Sequence, residues 1–150
     1  MFNWLKKTYF SVEEKHRITR AIRLAESKTS GEIRLFIEGK CKSPDPLSRA
    51  QELFGVLEIE KTTHRNGVLL YVAMHDQKFA IYADQGIHGK VGEGYWRQQL
   101  SKLKTDFGAK NFTTGIIHCI FEIGTTLNEF FPDYSEDENE LPDDIVFGKM

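Results

Sequence analysis

The 150-residue chain is short of cysteine and proline, has no long apolar run and shows no excess of one charge, and each shortage removes a class of protein. Two cysteines, Cys41 and Cys119, do not make a disulfide scaffold, and neither lies in a C-x-x-C pair, so neither a zinc site nor a thioredoxin-like motif is indicated. The longest apolar run, Val68 to Met74, falls far short of the roughly 20 residues that a membrane-crossing helix needs. The first residues, Met1 to Lys7, lack the apolar core of a signal peptide, so a cytoplasmic location is expected. Twenty Lys and Arg stand against 22 Asp and Glu, and the net charge of −2 gives no basic excess for nucleic acid. Familiar catalytic signatures are missing too. There is no Walker loop, no G-x-S-x-G elbow and no G-x-G-x-x-G. Neither cysteine is followed six positions later by Arg, as a thiolate phosphatase loop requires, and no pattern joins the serines and histidines into a triad.

What is present suits one globular domain spanning 1–150. Hydrophobic residues make up 40% and include 11 Phe, 5 Tyr and 2 Trp, which is ample core for a chain of this length. No internal repeat divides it. Ser11-Val12-Glu13-Glu14 reads as a capping box, and Ile18, Ala21, Ile22 and Ala25 recur at helical spacing, predicting a helix over about 11–27. A strand is expected at Ile33–Glu38, then a helix at Leu47–Glu58. Val68–Met74 reads as a strand buried on both faces, and Lys78–Ala83 as its hairpin partner. Asp84–Gly92, with three glycines, reads as a loop. Helices follow at Glu93–Phe107 and Thr113–Phe131, each ended by Gly108 or Pro132. The core thus runs over about 11–131, and an acidic tail over 132–150, in which Ile145-Val146-Phe147 fits a short edge strand. The expected fold is α/β: a three-layer α/β/α sandwich, with a small mixed sheet of about four strands flanked by about four helices.

This order brings polar residues to one sheet edge. Glu32 precedes the first strand, Asn66 precedes the second and Asp84 follows the third. His64, His88 and Glu93 lie in segments that meet there. Oxygen side chains on loops at one edge suit a hard divalent cation, Ca²⁺ or Mg²⁺, more than zinc. Each residue also has a plainer reading: Asp84 as an acceptor for turn amides, Glu93 as a favourable charge at a helix N-terminus, Glu32 in solvent. The tail resembles an EF-hand loop, with Asp133, Ser135, Asp137 and Asn139 alternating. Glu138 stands where that loop needs Gly, and Pro142 opposes a following helix, so an EF-hand is rejected.

Several short segments, in this order and spacing, resemble the TPM domain family, named for a thylakoid lumen protein, a photosystem II repair protein and a nematode acetylcholine-receptor modulator. They are Ser30-Gly31-Glu32-Ile33, Arg65-Asn66-Gly67-Val68-Leu69, Asp84-Gln85-Gly86-Ile87-His88, Trp96, Phe112-Thr113-Thr114-Gly115, Phe131-Pro132 and Asn139-Glu140-Leu141-Pro142-Asp143. The resemblance covers about residues 11–147 and is to a stand-alone bacterial form. It implies an α/β/α sandwich and a divalent-cation site on the edge loops. Carried onto this chain, that site takes Asp84 first, then Glu93 and Glu32, with Asp137 or Glu140 as tail ligands. Acid phosphatase activity is attributed to plant members. Many members are exported and membrane-anchored, however, and the longer ones carry a Gly-x-Gly-Leu-Glu-Gly loop where this chain reads differently.

Two functions are therefore expected to compete. One is a metal-responsive binding or regulatory module, monomeric, whose carboxylates repel one another until a cation pins the loops and presents a surface to a protein partner. The other is a metal-assisted phosphohydrolase, with Lys90 or Arg97 holding phosphate.

Overall fold

The capping box forms as its spacing predicts. The Ser11 hydroxyl accepts from the Glu14 amide at 3.0 Å, and the Glu14 carboxylate accepts from the Ser11 amide at 2.9 Å. These bonds open α1, Val12–Glu26. Residues 9–133 and 145–149 are described by the structure, a computed structural model. After α1 come β1 (Glu32–Glu38), α2 (Pro46–Val56), β2 (Gly67–Ala73), β3 (Lys78–Ala83), α3 (Gln85–Val91), α4 (Glu93–Gly108), α5 (Phe112–Phe130) and β4 (Ile145–Phe147). Asp45 caps α2 through the Ser48 amide, with Pro46 in the first turn, where its missing N–H costs nothing.

The strands form one mixed sheet in the order β3-β2-β1-β4. β1 runs parallel to β2 and β4, and β3 runs antiparallel to β2. Ile145–Phe147 is thus the short edge strand that its apolar composition suggests. The sheet is covered on both sides, which is why every residue of β1 and β2 is buried.

Alternation along the strands sorts two cores. Ile33, Leu35, Ile37, Val68, Leu70, Val72 and Ile81 face the larger core, shared with α1, α3, α4 and α5. Phe36, Leu69, Tyr71 and Ala80 face the smaller one, closed by Ala50, Leu53 and Phe54 of α2 and by Ile59. This is the expected α/β/α sandwich with four strands. Five helices flank it among the described residues, however, where about four are expected. The difference is Asp84–Gly92, expected as a loop. Asp84 caps a two-turn helix there, and Ile87 fixes it by burial in the larger core. Gly86 and Gly89 mislead because intrinsic propensity is a weak guide when tertiary packing decides.

Candidate functional site

The edge where β2 begins and β3 ends is closed by a clamp between two of the short segments, Arg65-Asn66-Gly67 and Asp84-Gln85-Gly86. The Asp84 amide donates to the Gly67 carbonyl at 2.9 Å, and the Gly86 amide donates to the Arg65 carbonyl at 2.8 Å. Gly86 has no room for a side chain, since a Cβ there would lie 2.2 Å from the His64 carbonyl oxygen and 2.5 Å from that of Arg65. Arg65 itself takes a left-handed backbone, φ 52°, a conformation that costs a non-glycine residue about 1 kcal/mol. From that position its side chain reaches back to Asp84. Nε donates to Oδ2 at 2.6 Å and Nη2 donates to Oδ1 at 2.8 Å, a two-pronged pair. Asp84 Oδ1 also accepts from the Gln85 amide at 2.7 Å. Asp84 is 4% exposed, whereas the Arg65 side chain is 43% exposed. The Asp84 carboxylate holds the guanidinium even more firmly in its charged form.

Beside this pair opens a pocket of about 370 Å³. Its lining comes from both sides of the sheet: Leu47 of α2, and His88, Glu93 and Trp96 of α3 and α4. A cavity reached from both faces must lie at the sheet's edge, and β3 is the edge strand, supplying Ile81, Tyr82 and Ala83 to the wall. Trp96 Nε1 donates to His88 Nδ1 at 3.1 Å. In the neutral imidazole that bond leaves the ring proton on Nε2, so His88 is a donor there and not a ready ligand for metal. Glu93 is exposed and makes no ion pair among the described residues.

Of the residues expected at the cation site, Asp84 and Glu93 therefore line one pocket. Glu32 does not join them. It pairs with Gly67 in the sheet register, and Gly67 in turn bonds Asp84, so Glu32 and Asp84 are two strand spacings apart, roughly 10 Å. Ile59 fills the notch between them, with its Cγ2 2.6 Å from where a Gly67 Cβ would stand. Asn66 is fully buried, donates to the Ser30 hydroxyl and is absent from the pocket wall. The His64 ring lies tilted beside Phe131, at 6.1 Å between ring centres. Lys90 and Arg97, expected to hold phosphate, do not line the pocket, whose arginine is Arg65. Asp137 and Glu140 lie outside the described residues. Among the described residues no three His, Cys, Asp or Glu side chains converge as a metal cluster.

Sequence reasoning missed Arg65 as a site residue, although it sits in the Arg-Asn-Gly segment that carries the resemblance. It also missed a charged cluster at the opposite end of β1. Glu38, fully buried, accepts from Arg49 Nε at 2.9 Å and Nη2 at 3.1 Å and from the Tyr71 hydroxyl. Burial, with the Glu38 bond, drives the Tyr71 hydroxyl far above its usual pKa. Both carboxylate oxygens of Glu38 are held by Arg49, which ties α2 to the sheet.

No helix among the described residues is long and apolar enough to cross a membrane. None of the curated proteins matches the chain. Among solved structures, the BA42 protein from the psychrophilic bacterium Bizionia argentinensis is 37% identical. Its match covers 95% of this chain and 97% of that one, with a TM-score of 0.86. The N-terminal domain of a P. gingivalis protein shares the fold at 14% identity and TM-score 0.63, over 80% of this chain and 77% of that one. The corresponding domain of a Corynebacterium glutamicum protein does so at 10% and 0.63, over 79% and 74%. The family model described as the TPM domain matches residues 6–126, a span that contains the clamp, the pocket and most of both cores, and the chain belongs to the TPM domain family.

Proposed function

We propose that this TPM domain is a divalent-cation-responsive binding module that takes Ca²⁺ or Mg²⁺ at Asp84. One observation carries the reading: the pocket's buried carboxylate already holds a cationic group, the Arg65 guanidinium, on both of its oxygens. A site that joins the 59–66 connector to the start of α3 around a positive group has the charge and the oxygen donors a hard cation uses. Glu93, without an ion partner among the described residues, supplies a second carboxylate to the same pocket. The tail carboxylates Asp137 and Glu140 are the further ligands of this proposal, and Glu32 is left out of it. Bound there, the cation would neutralise Asp84 and Glu93 together and draw α3, the start of α4 and the 59–66 connector into one surface for a protein partner. In this reading the module is cytoplasmic and monomeric when free.

Calorimetric titration of the metal-stripped protein tests it. Wild type is expected to bind Ca²⁺ or Mg²⁺, Glu93→Gln to bind more weakly, and Asp84→Ala to lose binding while retaining its folded circular dichroism. Unchanged affinity in a folded Asp84→Ala protein removes Asp84 from the site.

The second reading, a metal-dependent phosphohydrolase, is favoured by the donor residues beside Asp84: Arg65 and His88 line the same pocket. The ion would polarise a phosphoryl oxygen, and those donors would orient the group. Phosphomonoester turnover with Mg²⁺, Mn²⁺ or Ca²⁺ that vanishes in Asp84→Asn selects this reading. No turnover with any of them leaves the binding module.

A further inference from the structure

Arg65 stands where the cation reading needs an ion, and the two cannot share Asp84. Oδ1 accepts from Arg65 Nη2 and from the Gln85 amide, and Oδ2 accepts from Arg65 Nε. A divalent ion seeks the same oxygens and is repelled by the guanidinium charge beside them. The arginine has solvent to move into. Its side chain is 43% exposed, while the carboxylate it holds is buried. Its backbone, by contrast, is fixed, because the Arg65 carbonyl is bonded to the Gly86 amide and packed against Gly86. Departure therefore moves the side chain and leaves the clamp in place.

We propose that Arg65 is a tethered counter-ion: it neutralises Asp84 in the ion-free protein, competes directly with the divalent cation, and swings out of the carboxylate when the ion enters. This rests on the cation reading of the Asp84 pocket. It adds a regulatory consequence, since the ion-free state is held by a defined internal competitor and not by carboxylate repulsion alone. The apparent affinity for the ion is lowered by the fraction of molecules in which Arg65 is docked. Ion binding also exposes a guanidinium fork that was spent on Asp84, at the rim of the pocket, where it can meet an anionic group of a partner.

The competition sets a sign that a supporting role for Arg65 would reverse. In Arg65→Gln, Ca²⁺ or Mg²⁺ is expected to bind about tenfold more tightly, the gain that follows when Arg65 is docked in about nine ion-free molecules in ten. Arg65→Lys, which keeps the charge but loses the fork, falls between that variant and wild type. Lys61→Gln makes the same charge change in the same connector, where Lys61 pairs with Glu58, and leaves the affinity near wild type. A wild-type measurement avoids any dependence on how the variants fold. The Arg65 Nε–H resonance is slow to exchange without ion and becomes solvent-exchanging as Ca²⁺ or Mg²⁺ is added. Unchanged or weaker binding in Arg65→Gln, an equal gain in Lys61→Gln, or an Nε–H signal that stays protected at saturation overturns the proposal. Binding by neither wild type nor Arg65→Gln overturns the cation reading itself, and the competition with it.

Discussion

Two glycines three residues apart in α3 should respond to the same substitution with opposite signs. At Gly86 a methyl group would stand 2.2 Å from the His64 carbonyl oxygen and 2.5 Å from that of Arg65. Both obstacles are backbone atoms, and one of them accepts the Gly86 amide hydrogen bond, so neither can rotate aside. Relief requires α3 to lift from the connector, which loosens the Arg65–Asp84 pair and the Ile87 anchor together. Overpacking of this kind costs about 2 kcal/mol after the helix preference of Ala is subtracted, or roughly 4–8 °C in Tm for a domain of this length. At Gly89 nothing lies within 4 Å of the added methyl. There Ala brings only its helix preference, about 1 kcal/mol, and Tm rises by roughly 2–4 °C. Differential scanning calorimetry on Gly86→Ala and Gly89→Ala reads both. A Gly86→Ala protein as stable as wild type would refute the claim that the connector and α3 are interlocked through this glycine.

Removing Arg49 should leave the Glu38 carboxylate buried with the Tyr71 hydroxyl and, as its remaining cation among the described residues, Lys42 at 4.0 Å. Arg49→Ala is thus expected to lose about 3 kcal/mol in urea unfolding, and adding Glu38→Gln should recover part of it; equal losses in the single and double variants would contradict the pairing. The Ser11 amide, followed by the Thr113 hydroxyl, holds the Glu14 carboxyl below its ordinary pKa. A depressed folded-state pKa gives stability that is present above the unfolded value, near 4.3, and is lost as pH falls through the folded value. Glu14→Gln is expected to be about 0.5 kcal/mol less stable at pH 7, with the gap in Tm closing between pH 5 and pH 3. A gap independent of pH would show that the charge is not what matters.

The sequence made the frame of the fold legible wherever periodicity and stop signals agreed. Ser11 and Glu14 announce α1, the unbroken apolar run at Val68 announces a strand covered on both faces, and Pro132 closes α5. α3 escaped because three glycines in nine residues outweigh Ile87 in any local reading, while the burial that decides the matter comes from distant helices. The edge cluster was half legible. Strand directions alone bring Asp84 and Glu93 to one end of the sheet. They do not reveal that Gly67 leaves a notch for Ile59, which separates Glu32 from that pair. Nor does spacing reveal the Arg65–Asp84 bond, which depends on a left-handed φ at Arg65. The Glu38–Arg49–Tyr71 cluster was illegible for a related reason: Glu38 ends a strand, where a charged residue ordinarily meets solvent, and α2 is what buries it.

The central claim is that a divalent cation orders the Asp84 edge, and an amide NMR titration of the metal-stripped protein tests it most directly. With Ca²⁺, then Mg²⁺, the account predicts that signals from Thr62–Gly67 and Asp84–Glu93 shift together on one binding curve, with the Trp96 indole N–H following through its bond to His88. Signals from the Glu38–Arg49 end of the sheet should stay still. No movement at millimolar cation, or movement spread evenly over the surface carboxylates, would contradict the claim and leave Asp84 as the cap of α3 and the partner of Arg65 alone.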